Sequence, residues 1–126
     1  MRKRSRSSLV KAADKAFSEY IRARDKKCVT CGSVMKLTCG HLFSRTSYST
    51  RWNPKNAFCQ CWACNFKHEF DAYPLMKYVL DLEGQEFIDA LHAEYSRPLK
   101  YKDYQLEEIA EHYRNMKKGL DKQDNV

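Results

Sequence analysis

No apolar run in this 126-residue chain approaches the roughly 18 residues needed to cross a bilayer, so a membrane-spanning helix is not expected. The basic N-terminus is not followed by an apolar segment. No secretion signal is therefore read, and the protein is expected to be intracellular and cytoplasmic, in a reducing compartment. There is no internal repeat, so a stacked-repeat architecture is not expected. Acidic residues are scarce in the first two thirds. Residues 1–27 hold three Asp/Glu against ten Lys/Arg, and residues 28–77 hold two against six. Only residues 78–126 reverse the balance, with eleven against seven. The net charge of +7 therefore lies over the front of the chain, where a polyanion such as nucleic acid is the natural partner. Charge alone also fits a basic surface kept for solubility.

With 43% hydrophobic residues, disorder of the whole chain is excluded, and the length suits one domain with a modest core. Residues 1–7 read as a disordered basic arm containing Arg2, Lys3, Arg4 and Arg6. From Ser8, a possible cap, the spacing of Leu9, Ala13, Phe17, Tyr20 and Ile21 predicts a helix to about Arg24. Turn signals at Cys31-Gly32 and Cys39-Gly40 and the runs Val34–Thr38 and Leu42–Phe43 suggest short strands, and Asn53-Pro54 marks a turn. A second helix is expected to open near Cys64-Asn65, and a turn or new helix to begin around Asp71–Pro74. Further on, three apolar stripes predict helices. One ends at Gly84, one before Arg97-Pro98 and one at Gly119, leaving a frayed tail over 120–126.

Six cysteines in a reducing compartment point to metal rather than disulfides. Cys28-Val-Thr-Cys31 and Cys61-Trp-Ala-Cys64 share the two-residue gap that brings both thiolates of a knuckle to one ion. Four thiolates close a tetrahedral structural zinc site with no open position. The 29 residues between the pairs exceed the 15–20 of simple zinc ribbons and carry much of the chain's polar chemistry. Cys39 and Cys59 read as buried filler, with a second zinc site made of Cys39, His41 and Cys59 as the weaker reading.

Within and beside this insertion stand Gly40-His41, Arg45, Arg51-Trp52-Asn53-Pro54-Lys55-Asn56, and then Asn65, Lys67, His68 and Glu69. Hydrolysis of a phosphodiester needs a base to activate water, a hard cation and side chains that hold the strand. His41 can be the base, and Asn56 can orient it through its amide. On a helix, Asn65, His68 and Glu69 fall on one face at i, i+3 and i+4, where they could share a metal ion. Oxygen ligands suit Mg2+ or Mn2+, and a histidine favours Mn2+ or a softer ion. Arg45, Arg51 and Lys67 are candidates for gripping DNA phosphates. Trp52 and Trp62 are expected to pack around the zinc knuckle.

The run Cys-x-x-Cys, Gly-His, Arg-Trp-Asn-Pro-x-Asn, Gln-Cys-x-x-Cys-Asn resembles the HNH, or ββα-metal, nuclease family. In particular it resembles the zinc-bearing branch that includes phage endonuclease VII and the phage NinG (Rap) recombination proteins. The stretch from Phe17 to Asp25 resembles the helix leading into the NinG cysteine knuckle, and the likeness covers roughly residues 15–95. The resemblance implies that His41 is the general base, Asn56 the asparagine that holds it and Asn65 a ligand of a catalytic Mg2+ or Mn2+. It makes Cys28, Cys31, Cys61 and Cys64 the ligands of a structural Zn2+. Many family members carry Asp or His immediately before the base, where this chain has Gly40; His68, Glu69 or Asp71 could supply the missing ligand.

The expected fold is α+β: a zinc-stapled ββα-metal core over residues 8–77, a helical extension over 78–119 and a tail over 120–126. The expected activity is metal-dependent endonucleolytic hydrolysis of DNA, on branched substrates of the Holliday-junction type in phage recombination, with a homodimer supplying two active sites. The apolar stripes of the C-terminal helices are expected to form its interface. Other readings of the same residues are a non-catalytic zinc-containing DNA-binding module, a protein-interaction adaptor and a sequence-specific HNH endonuclease.

Overall fold

The computed structural model describes residues 4–124. Six helices and one two-stranded sheet follow one another: α1 (Arg6–Asp25), β1 (Leu37–His41), α2 (Tyr48–Arg51), a single 3-10 turn (Pro54–Asn56), β2 (Ala57–Cys61), α3 (Trp62–His68), α4 (Tyr73–Glu83), α5 (Gln85–Tyr95) and α6 (Asp103–Asp124). Among the described residues no helix is long and apolar enough to cross a membrane.

Helix α1 begins earlier than its apolar period indicates. Ser5, not Ser8, is the cap, accepting a hydrogen bond from the Ser8 N–H, so Arg6 and Ser7 belong to the helix rather than to an arm. The expectation for Arg2 and Lys3 lies outside the described residues. At its other end Lys26 takes a left-handed conformation (φ 67°) and stops the helix just before Cys28. The adjacent Arg24 and Asp25 clasp the sheet. Arg24 donates to the carbonyls of Pro54 and Ala57, and Asp25 accepts from the Cys59 N–H.

β1 and β2 pair antiparallel in the register Leu37↔Cys61, Cys39↔Cys59 and His41↔Ala57. The expected strand at Leu42–Phe43 is instead the start of a loop, because the Asn56 side chain bonds both the N–H and the carbonyl of Phe43 and curls the chain there. The true partner strand, Ala57–Cys61, is buried over four of its five positions. Alternation is lost when both faces are covered, which hid the strand from a pattern reading. Helix α3 opens at Trp62, earlier than expected, because Cys61 itself caps it.

Two apolar clusters flank the sheet. In the first, Leu9, Ala13, Phe17, Tyr20 and Ile21 of α1 meet Leu106, Ala110 and Tyr113 of α6, together with Trp52 and Ala57. In the second, Leu42 and Phe58 meet Leu75 and Val79 of α4 and Ile88 and Leu91 of α5. Leu75, Val79, Ile88, Leu91, Leu106, Ala110 and Tyr113 of the C-terminal helices are thus buried inside the chain, while Tyr73, Leu80, Tyr104 and Met116 stay exposed. Gly84 (φ 89°) ends α4 as the sequence indicates, a conformation that favours glycine. Gly119 does not end α6. The helix continues to Asp124 because Leu120 packs against the first cluster and Lys117 pairs with Asp121 across the glycine. The described part of the expected tail, 120–124, is therefore helix and not frayed chain, and residues 125–126 lie outside the described residues.

Candidate functional site

The sulfurs of Cys28, Cys31, Cys61 and Cys64 lie within 4.8 Å of one another. The Cys31–Cys61 separation is 3.7 Å, close to the roughly 3.8 Å edge of a tetrahedron with Zn–S bonds of about 2.3 Å. Local geometry builds this cluster. Gly32 takes φ 82° so that the first knuckle can close, and its N–H bonds the Cys28 carbonyl. The Cys64 N–H points at the Cys61 sulfur. Burial opposes ionisation of Cys28, yet the Thr30 hydroxyl and the backbone N–H groups of Cys61, Cys31 and Thr30 bring its thiol down to about 6. The Thr30 hydroxyl also favours the Cys64 thiolate, but burial and hydrogen bonds shared with Cys61, Cys31 and Cys28 push that thiol up to about 12. One thiolate forms readily and opposes the next until a cation shares the charge, so the four-cysteine cluster could hold a zinc ion. Among the described residues it is the only group of three or more His, Cys, Asp or Glu side chains set to do so.

Cys39 and Cys59 sit opposite each other across the sheet and outside that cluster. Burial raises their thiols to about 12 and about 11, so they remain neutral filler. The second zinc site of Cys39, His41 and Cys59 is not formed.

His41 ends β1 at the junction of two clefts. One, of about 550 Å³, is lined by His41, Ser44, Arg45, Asn65, His68 and Glu69. The other, of about 420 Å³, runs along α1 past Asp14, Lys15, Ser18 and Arg22 to His41 and Arg45. The His41 Nε2 lies 2.9 Å from the Arg51 carbonyl. A carbonyl only accepts, so Nε2 carries the proton and Nδ1 keeps its lone pair, with no partner among the described residues. Burial pushes the His41 ring below the ordinary 6.5, and the Arg45 and Arg51 guanidinium groups act in the same direction, against the Arg51 carbonyl and Asp14. The ring is therefore neutral at pH 7, with a free basic nitrogen.

Asn65 and His68 come from α3 to the same cleft. The Asn65 Nδ2 donates to the Thr38 hydroxyl, which leaves its Oδ1 free of partners among the described residues. The His68 Nε2 lies 3.1 Å from the Leu42 carbonyl and so carries the proton, while its Nδ1 is buried with no hydrogen-bond partner. Glu69 caps the end of α3, exposed, at the rim of the cleft. Asp71 is occupied elsewhere, accepting from the Tyr73 N–H at the start of α4.

Three expectations need correction. The Asn56 amide does not reach His41. It is fully buried, and it holds the Phe43 N–H and the carbonyls of Phe43 and Thr50. It shapes the loop that follows the histidine instead of the ring itself. Arg51 is not free to grip a phosphate, because it forms a two-pronged pair with Asp14 (Nε to Oδ1 3.0 Å, Nη2 to Oδ2 2.7 Å) and is only 15% exposed. Its fork matches a carboxylate, and that geometry fixes the backbone whose carbonyl holds His41. Neither tryptophan packs as expected. Trp52 is buried in the α1–α6 cluster, donates to Asp14 and stacks on Tyr48, while Trp62 is 59% exposed and stacks on Phe66. Arg45 is 63% exposed at the cleft, and Lys67 is exposed on α3.

Sequence reasoning missed Asp14, which ties Arg51, Trp52 and α1 together. Its one signal was being the only acid among the first eighteen residues. Lys15 and Arg22 were missed because a stripe of cations on a basic helix looks like any solvated face.

The family described as Bacteriophage Lambda NinG protein matches residues 1–124 of the chain. The chain is 28% identical over 97 residues to Protein ninG of Escherichia phage lambda. It is 27% identical over 97 residues to the proteins of that name from Escherichia phage 933W and Enterobacteria phage VT2-Sa. Each alignment covers 73% of this chain and 48% of the relative, so the chain spans about half the length of the curated relatives it matches. No solved structure matches it.

Proposed function

The chain belongs to the NinG family, and from that premise we propose that it is a zinc-stapled DNA endonuclease of the HNH, or ββα-metal, type, acting on branched DNA of the Holliday-junction kind in phage recombination. The observation that carries this reading is the state of His41. It is a neutral histidine at the end of the first strand of a hairpin, with Nε2 anchored on a backbone carbonyl and Nδ1 free at a cleft. The helix after the hairpin brings Asn65 and His68 to that cleft. Two strands and this helix are the parts that the ββα name describes.

In the proposed reaction, Nδ1 of His41 takes a proton from a water. The water oxygen attacks phosphorus on the side opposite the leaving sugar oxygen, the bond to that oxygen breaks, the departing oxygen takes a proton from solvent water, and His41 returns its proton to solvent. The lowered affinity of the ring for protons keeps the base available at pH 7. Arg45, exposed at the rim, meets a non-bridging phosphate oxygen, and Lys15 and Arg22 line the path along α1. A bound Mg2+ or Mn2+ would supply charge stabilisation at the phosphate and leaving oxygen. The donor set fits such an ion: the free Oδ1 of Asn65 is a hard ligand. The unpartnered Nδ1 of His68 belongs to a ring whose other nitrogen is held by a carbonyl, the usual arrangement of a metal-bound histidine. Zinc on the four cysteines would fasten the loop after α1 to the start of α3 and so keep Asn65 opposite β1. Symmetric cutting of a junction calls for two active sites, hence a homodimer.

The test is cleavage of a labelled four-way junction and of a linear duplex of the same sequence, with Mg2+, Mn2+ or EDTA and with His41→Ala as control. Metal-dependent cutting of the junction alone, abolished in the variant, is the expected result. Equal cutting of both substrates removes the junction preference. Salt-sensitive binding without cutting under any metal replaces the enzyme by a DNA-binding module.

A further inference from the structure

Gly40 precedes the base, at the position where many HNH enzymes place a metal-binding carboxylate or imidazole. It lies two residues after Thr38 on β1, on the same face of the strand, toward α3, and is itself buried. A Cβ built there would collide with Oε1 of Gln60 and sit 3.3 Å from Oδ1 of Asn65. The space that a side chain at residue 40 would fill is thus already taken by the amide of Gln60, reaching across from β2. Both amide oxygens border that point. Gln60 is 1% exposed, and its Oε1 is buried with no hydrogen-bond partner. Its Nε2 points the other way, 3.5 Å from the Thr30 hydroxyl. A buried amide oxygen without a partner has given up its hydration and regained nothing in a structure that serves only itself. His68, whose Nδ1 is orphaned in the same way, lines with Gln60 a cavity of about 190 Å³.

From these atoms we infer that Gln60 supplies the metal ligand that Gly40 lacks. Its Oε1, the Oδ1 of Asn65 and the Nδ1 of His68 form a neutral O,O,N donor set for one divalent cation. Two amide oxygens suit Mn2+ or Mg2+, and the imidazole favours Mn2+, which completes its coordination with water and with phosphate oxygens. A set without carboxylates binds weakly on its own, and a DNA phosphate would supply the missing negative charge. Gly40 and Gln60 are then one device: the glycine is required because the ligand comes from the neighbouring strand. This inference rests on the nuclease reading for the purpose of the ion, but its geometry does not.

The experiment is Mn2+ titration into zinc-loaded protein, with free Mn2+ read by electron paramagnetic resonance and DNA cleavage measured in parallel. Zinc content and the circular dichroism spectrum report that the variants are folded. One Mn2+ site is expected in the wild type. Gln60→Met, similar in shape but without the oxygen, should weaken it at least tenfold, and Gln60→Glu should tighten it at least tenfold. Gly40→Asp combined with Gln60→Ala, which moves the oxygen from one strand to the other, should bind Mn2+ again. Absence of a site in the wild type, or the same affinity in wild type, Gln60→Met and Gln60→Glu, overturns the assignment. If Gln60→Met does not fold, the Gln60→Glu comparison decides. Mn2+ binding that follows Gln60 in a protein that cuts no DNA keeps the metal site and removes the nuclease. Cutting of DNA with Mn2+ affinity indifferent to Gln60 does the reverse.

Discussion

Replacing Asn56 by leucine keeps roughly the shape of the side chain and deletes its hydrogen bonds. Asn56 is fully buried and holds three backbone groups of the loop beside His41: the Phe43 N–H at 2.9 Å, the Phe43 carbonyl at 3.0 Å and the Thr50 carbonyl at 3.2 Å. Thr50 is itself buried, but its carbonyl also accepts from the Asn53 N–H at 3.2 Å and keeps that partner, so this bond counts for about 1 kcal/mol. The two groups of Phe43 are partly exposed and regain water, at about 1 kcal/mol each. The total is about 3 kcal/mol, or a fall in melting temperature on the order of 10 °C for a chain of this size. Asn53, three residues earlier, is the control. Its side chain also makes two hydrogen bonds, to the Lys55 N–H and to Glu94, but both are exposed, and Asn53→Leu should cost about 1 kcal/mol. Guanidinium denaturation of the zinc-loaded proteins, followed by circular dichroism, measures both. A loss below about 1.5 kcal/mol for Asn56→Leu, or equal losses at the two positions, would refute the argument that this amide clamps the loop.

Other consequences can be checked alongside. Cys31 is exposed, so Cys31→Ser removes a sulfur without disturbing packing; loss of zinc and a drop of more than about 10 °C in melting temperature are expected, and an unchanged melt would show that the cluster does not hold the fold. The His41 ring is held below 6.5, so cleavage should rise with pH through a midpoint below that value and then level off, as read from a pH–rate profile. The same shift bears on stability: the unfolded ring takes up a proton more readily than the folded one, so this group's contribution is fully present above 6.5 and is lost as pH falls toward the folded value. Asp14→Ala frees Arg51, whose carbonyl positions His41, and should lower kcat by roughly tenfold or more while leaving DNA affinity equal or higher, since a negative charge is removed from the cleft. Tyr113→Phe should cost about 1–2 kcal/mol by orphaning the Trp52 carbonyl that the buried hydroxyl reaches at 2.6 Å.

The cysteine spacing alone indicated the metal cluster, because a two-residue gap constrains the two sulfurs locally, whatever the rest of the chain does. Helical periodicity gave α1 and the three C-terminal helices for the same reason: each buries one face, and the repeat is short. The places where the reading failed are those where distant residues decide. Leu120 extends α6 because that helix packs on α1, from the other end of the chain. β2 carries no alternation because both its faces are covered. His41, Asn56 and Asn65 could be picked out as polar residues at suggestive positions, and Arg51 as a cation. That Arg51 is spent on Asp14, that Asn56 holds a loop and not a ring, and that Gln60 fills the space beside Gly40 were fixed only when the hairpin closed and α1 and α3 packed against its two sides. Hydrogen-bond partners and free lone pairs are properties of that packing, and no spacing in the sequence encodes them.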